Sequence, residues 1–339
     1  MDMDALSYWL PLIWVAVLGV AVALYVLLDG FDLGIGILFP ASPEESHRDQ
    51  MMNSVAPFWD GNETWLVLGG GGLFVAFPPA YSILMPAAYL PVIIMLLALV
   101  FRGVAFEFRW VAKPRHQLWD LAFAGGSLVA AFMQGVILGT LLSGIEVSNN
   151  AYAGGTFDWL TPFSLLTGVA VVAGYALLGA TWLVMKTDGA VQARARQQAK
   201  LLLPLVLAAL AVVSLWTPLV IPRIFDRWFT MPNVILLAPV PLLTAYAAWR
   251  CWSELEKGRE TAPFVSTIAL FLLGFLGLAV SNLPYIIPPT LDVWQAAAHP
   301  SSQLFMLVGV SIMLPIILGY TVFVYRTFRG KVRHGEGYH

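Results

Sequence analysis

An all-α integral membrane protein with about nine transmembrane helices is the fold class that the sequence predicts, on three observations. Of 339 residues, 59% are hydrophobic and only 11% charged, with a mean hydropathy of +0.78; soluble domains run near a quarter charged. The apolar residues gather into stretches of about 20, the length a helix needs to cross the hydrocarbon core. Lysine and arginine alternate between successive loops in the manner of a polytopic protein.

The first span covers 8–39. Acids in "MDMDALSYW" stand where a secretory signal needs a basic region, so this segment reads as retained in the membrane. It is over-long, and a bend is expected near Gly30. Next, "SPEESHRDQMMNSV" predicts a short surface helix, with Ser42 as cap, Pro43 in the first turn and Glu45 completing a capping box. The second span, 58–77, is the weakest: Asp60 and Glu63 open it, and Gly69 to Gly72 interrupt it. Those glycines suit close helix packing, and the Lys and Ser or Thr of a phosphate loop do not follow them. Further spans are placed at 80–101, 120–142, 161–185, 201–221, 233–252, 263–287 and 302–325. Barrel strands would alternate polar and apolar residues, which these segments do not. Loops such as "SNNAYAGGTFDWLTP" and "PPTLDVWQAAAHPSS" are polar and rich in turn formers. Trp9, Trp110, Trp119, Trp159, Trp228 and Trp252 fall near span ends, where indoles anchor at the interface.

Nine spans with a periplasmic N-terminus put Arg48 on the cytoplasmic side, then Arg102, Arg109, Lys113 and Arg115, then Lys186, Arg194, Arg196 and Lys200. Arg250, Lys257 and Arg259 follow there, and finally Arg326, Arg329, Lys331 and Arg333. Only Arg223 and Arg227 remain outside. A miscounted helix would scramble this alternation. The C-terminus is therefore expected in the cytoplasm.

A single cysteine, Cys251, rules out an intrachain disulfide and a cysteine metal cage. His47, His116, His299, His334 and His339 lie in loops, at span edges or in the tail, none inside a span where a haem ligand would sit. No HExxH or paired-histidine spacing argues for a metal, so any redox cofactor is expected on another chain. With a net charge of −2, no nucleic-acid partner is indicated.

Four acids resist this bland description: Asp29 and Asp32 in "LYVLLDGFDLGIGILF", Asp60 and Glu63 in "APFWDGNETWLVLGGGGLFVAF". Each pair has a spacing of three, which on a helix puts both members on one face. The topology places all four towards the cytoplasmic side, where they could meet across a helix contact. With no lysine or arginine assigned inside the membrane to pair with them, protonation, water or a partner chain must compensate their charge. Intramembrane carboxyls of this kind mark ion or proton paths. Asp60 and Glu63 could instead cap the second helix. Arg102 ends the third span, where an arginine ordinarily snorkels to the interface; inward-facing, it would be the missing counter-ion.

Together, "DGFDLGIGILFP", "NSVAPFWDGNETWLV" and "LVFRGVAFEFRW" resemble subunit II of the cytochrome bd-type quinol oxidases, and "DVWQAAAHPSSQLF" and "YRTFRGKV" extend the likeness along the chain. Short outer loops are similar to the compact, cyanide-insensitive branch. The resemblance implies two four-helix bundles plus one peripheral helix in a bacterial inner membrane. It implies a partner, subunit I, that holds two b-type haems and one d or third b, oxidises quinol and reduces oxygen to water. It implies one or more small single-helix subunits, and a cytoplasmic proton path through acids of the first two spans. Asp29, Asp32 and Asp60 match those motif positions, with Glu63 beside them. A ubiquinone site is implied near Trp59, Asp60 and Arg102. A proton-coupled secondary transporter is the rival from another class, disfavoured by the one-sided acids and the absence of a repeat; a purely structural subunit is the other.

Overall fold

The computed structural model describes residues 3–112 and 116–332. Lys113, Arg115, Arg333, His334 and His339 lie outside the described residues. Helix α1 (Met3–Leu38) is followed by α2 (Glu45–Asn53), α3 (Trp59–Ala76), α4 (Pro78–Ala87), α5 (Tyr89–Val111) and α6 (Gln117–Ser143). The short strands β1 (Val147–Ser148) and β2 (Ala151–Tyr152) pair as a hairpin. Then come α7 (Pro162–Lys186), α8 (Gly189–Val220), α9 (Pro222–Phe229), α10 (Asn233–Leu237), α11 (Pro239–Glu256) and α12 (Thr261–Asn282). A second hairpin, β3 (Tyr285–Ile287) and β4 (Leu291–Asp292), precedes α13 (Pro300–Thr327).

Eight helical segments among the described residues are long and apolar enough to cross a membrane. The predicted second span, now α3, is not one of them, because its acids and glycines dilute its hydropathy. Helix α1 is not broken at Gly30. α1 is one uninterrupted 36-residue helix, about 54 Å long at 1.5 Å per residue. The predicted third span, 80–101, is two helices: proline-opened α4 ends at Ala87, and α5 runs ten residues beyond Phe101 to Val111. That extension turns Arg102 from a span end into an interior position. Ser42 does not cap α2. The helix begins after Glu44 with no side-chain cap, and Ser42 Oγ accepts from Arg194 Nη1 at 3.1 Å. Nor do Asp60 or Glu63 cap α3, whose N-cap is Phe58.

α1 lies at the centre, packed on α3, α6, α7, α12 and α13. Its contact with α7 is backbone on backbone. A Cβ on Gly34 would sit 1.8 Å from the Tyr175 carbonyl oxygen, and one on Gly179 would sit 2.5 Å from the Gly34 carbonyl carbon. Phe31 stacks on Trp182 at 4.0 Å between the same two helices. Gly126 brings α6 equally close to α5, where a Cβ would meet the Ala98 carbonyl oxygen at 2.6 Å. Of Gly69 to Gly72, Gly72 alone serves tight packing: its added Cβ would meet Leu18 at 2.5 Å, whereas Gly70 and Gly71 face open space. At one end, Gln303 of α13 donates to the Ala76 carbonyl at 3.0 Å and accepts from Trp14 at 3.1 Å, joining α13 to α3 and α1. At the other, Lys186 donates to the Phe328 and Gly330 carbonyls and holds the chain that leaves α13.

Candidate functional site

Two acids and a guanidinium share the packed centre of the protein. Asp29 and Asp32 follow one another by three residues on α1, which sets both on the face turned towards α3 and α5. Gly126 lets α6 press against α5 beside Arg102, so that its side chain points inward to α1. Arg102 Nη1 lies 2.6 Å from Asp29 Oδ1, and Nη2 lies 3.9 Å from Asp32 Oδ2. All three residues are fully buried. Asp29 and Asp32 therefore do have a cationic partner on the same chain, and Arg102 does not snorkel. A short span ending at 101 hid it; a helix that continues to Val111 buries it.

Each carboxyl has a further neighbour. Asn62 Nδ2 donates to Asp32 Oδ2 at 2.8 Å and to the Leu28 carbonyl at 3.3 Å, while Asn62 Oδ1 accepts from the Tyr325 hydroxyl at 2.9 Å. Tyr25, one turn before Asp29 on α1, sets its hydroxyl beside that carboxyl group. Gln134 donates to the Tyr25 hydroxyl and accepts from the Tyr175 hydroxyl, each at 2.7 Å. Asp29 and the second oxygen of Asp32 take no hydrogen bond of good geometry, and neither do the guanidinium nitrogens of Arg102. Charge pairing holds this centre, and acceptor capacity on the acids is left over.

Asp60 and Glu63 do not join the pair directly. Asp60 is exposed on the first turn of α3. Glu63 is half-buried one residue after Asn62, within the field of Arg102, Asp29 and Asp60. The order from surface to core is thus Asp60, Glu63, then Asp32 and Asp29. Trp59 stacks on Phe106 at 4.8 Å with its ring against Gly103, next to Arg102 in α5. Asn62, Tyr325, Tyr25, Gln134 and Tyr175 escaped sequence inspection. Asn62 had a signal, as a polar residue inside "DGNE"; the others are single polar groups among apolar ones, ordinary for helix packing.

A second ionic cluster lies at the end of α5. Arg109, fully buried, binds Asp49 and Asp120 at 2.5 Å each, and Arg48 reaches Asp120 at 3.2 Å. Among the described residues, His47, His116 and His299 lie at or beside helix starts, and no three His, Cys, Asp or Glu side chains gather as a metal site.

Fold and site define a class: a multi-pass helical membrane protein built around a buried carboxylate–guanidinium centre. The chain belongs to the cytochrome bd terminal oxidase subunit II family, whose model it matches over residues 10–328. It is 30% identical over 335 residues to the cytochrome bd ubiquinol oxidase subunit 2 of Bacillus subtilis, covering 96% of this chain and 97% of that one. Likeness to the Escherichia coli K12 cytochrome bd-I ubiquinol oxidase subunit 2 is 28% over 367 residues, 95% of each chain. A chain in the solved bd oxidase of Geobacillus thermodenitrificans superposes with a TM-score of 0.77, covering 94% of this chain and 98% of that chain at 17% identity, a likeness of fold. As a family member this is the second subunit of a haem-containing quinol oxidase complex, the companion of subunit I in a bacterial inner membrane.

Proposed function

We propose that this subunit carries protons from the cytoplasm to the haem-bearing subunit I and stabilises that subunit in the complex. The observation that carries it is the fully buried centre in which one guanidinium faces two carboxylates. With both acids ionised the centre holds one net negative charge, and a single proton makes it neutral. A low-dielectric interior favours that neutral state, so the centre takes up one proton and can hand it on. Arg102 acts as fixed counter-ion. Its guanidinium is fully buried against the acids, which argues against a quinone headgroup there and leaves Trp59 as an aromatic wall. Asp60 and Glu63 supply the entry, since a proton moving from exposed Asp60 to half-buried Glu63 is desolvated in stages. The N-terminus is periplasmic and the C-terminus cytoplasmic, on the alternation of lysine and arginine. The partner's haems, two b-type and one d or third b, and its quinol chemistry lie outside this chain, as do the small single-helix subunits.

The experiment is turnover of the assembled oxidase carrying Asp29→Asn, Asp32→Asn or Asp60→Asn. Either α1 variant is expected to lower oxygen consumption per haem by about tenfold or more, one decade corresponding to about 1.4 kcal/mol of barrier. Haem spectra should be unchanged. Full turnover in both α1 variants with intact spectra removes the proton role. For Asp60 a structural share is favoured by its place on the first turn of α3, where a negative charge suits the helix dipole.

A further inference from the structure

Two tyrosine–amide arms reach the acids from opposite directions, and the proton path above uses neither. In one, Tyr325 donates to Asn62 Oδ1, and Asn62 Nδ2 donates to Asp32. In the other, Tyr175 donates to Gln134 Oε1, Gln134 Nε2 donates to Tyr25, and Tyr25 stands beside Asp29. Each is a continuous string of polar contacts through an otherwise apolar interior. Tyr325 stacks on Phe58 at 4.5 Å, close to the segment held by Lys186. Gln134 is half-buried at the periphery of α6. As proton wires, the arms would give the acids one shortcut to the α13 end and another to the flank of α6.

Chemistry forbids that use. Asn62 Nδ2 faces the Leu28 carbonyl, a pure acceptor, as well as Asp32 Oδ2, so its oxygen faces Tyr325 and the amide is held against flipping. Passing a proton from Tyr325 to Asp32 would protonate Oδ1 and strip Nδ2. An imidic acid would remain, and no second proton could follow until the reverse transfers restored the amide. Gln134 stands in the same place between two phenols, and the block holds for either orientation of its amide. Amides transmit hydrogen bonds and position their neighbours, but they do not titrate.

We propose that Asn62 and Gln134 are proton stops: they fix Asp32 and Tyr25 in place while barring proton exchange along both arms, so that Asp29 and Asp32 trade protons across the Glu63 flank of α3. This rests on the proton-relay reading of the acid pair and names the route into it. Glu63 adjoins Asn62 in sequence, is half-buried, and stands in the field of Asp29 and Arg102 on one side and of exposed Asp60 on the other.

The test uses the assembled oxidase. Tyr325→Phe and Tyr175→Phe are expected to keep turnover within about twofold, whereas Glu63→Gln lowers it by about tenfold or more. Asn62→Asp replaces the stop by a group that can relay. The double variant Asn62→Asp/Glu63→Gln should therefore regain turnover, and adding Tyr325→Phe should remove the gain. Should the double variant fail to assemble, the solvent deuterium isotope effect on turnover decides instead. A stop leaves it unchanged in Tyr325→Phe, and a relay changes it. A tenfold loss in either phenylalanine variant with haem spectra intact, full activity in Glu63→Gln, or no rescue in an assembled double variant overturns the proposal. If Asp29→Asn and Asp32→Asn run at full rate, the proton role itself has failed; if they are slow and the phenylalanine variants are slow too, only the stops have failed.

Discussion

Removing the Arg102 guanidinium is the perturbation whose consequences the structure fixes most tightly. Opposite charges 2.6 Å apart attract by about 6 kcal/mol at an effective dielectric constant of about 20. Desolvating each ion offsets several kcal/mol of that. What matters for Arg102→Leu is the state left behind, two buried acids with no cation. Breaking a buried pair from one side costs about 3–5 kcal/mol, a large share of the 5–15 kcal/mol by which folded domains are typically stable. The acids can escape by holding a proton permanently, but a carboxyl that never releases its proton relays nothing. Arg102→Leu should therefore lower the yield of assembled oxidase, and the fraction that assembles should turn over about tenfold or more slowly per haem. Arg102→Lys should fall between, because a single ammonium cannot serve Asp29 and Asp32 with the spread of a guanidinium fork. Arg109→Leu is the control. It also loses two 2.5 Å contacts, but Asp49 and Asp120 are partly exposed and can rehydrate, so turnover per haem should hold while yield declines modestly. The assays are oxygen consumption normalised to haem absorbance and the amount of complex recovered. Unmodified yield and turnover in Arg102→Leu would refute the assignment of this arginine as counter-ion.

Other outcomes follow from the same geometry. Gly34→Ala should abolish assembly of the complex, since a Cβ there would sit 1.8 Å from the Tyr175 carbonyl oxygen and neither backbone can yield; normal recovery on a native gel would contradict the α1–α7 contact. Glu260, beside α12, is held below the usual carboxylate range by hydrogen bonds from Lys331 and Gln192. A lowered folded pKa contributes stability above the unfolded value of about 4.3 that is lost as the pH falls through the folded one. The thermal midpoint of Glu260→Gln should thus lie slightly below that of the unmodified protein at pH 6 and converge with it on acidification; an equal offset at every pH would exclude the linkage. Reporter fusions after residue 190 and at the C-terminus should signal cytoplasm, and one after residue 150 periplasm; the reverse pattern breaks the topology.

Composition and spacing by themselves determined the class of this protein, because a bilayer imposes length and polarity on every span whatever it packs against. The three-residue spacing of Asp29 and Asp32 likewise fixed them on one face, a property of the single helix. The partner of those acids was beyond the reach of the sequence. Whether Arg102 snorkels or turns inward depends on where α5 ends and on how closely Gly126 lets α6 approach it, and neither is a local property. Asp60, with an equally conspicuous position in the sequence, stays at the surface, because α3 turns Asn62 and not Asp60 towards α1. Tyr25, Tyr325, Gln134 and Tyr175 come from four different helices, and only the packing of those helices sets their hydroxyls and amides against the acids. Periodicity specifies which face of a helix is buried; which polar group it meets there is settled when the helices assemble.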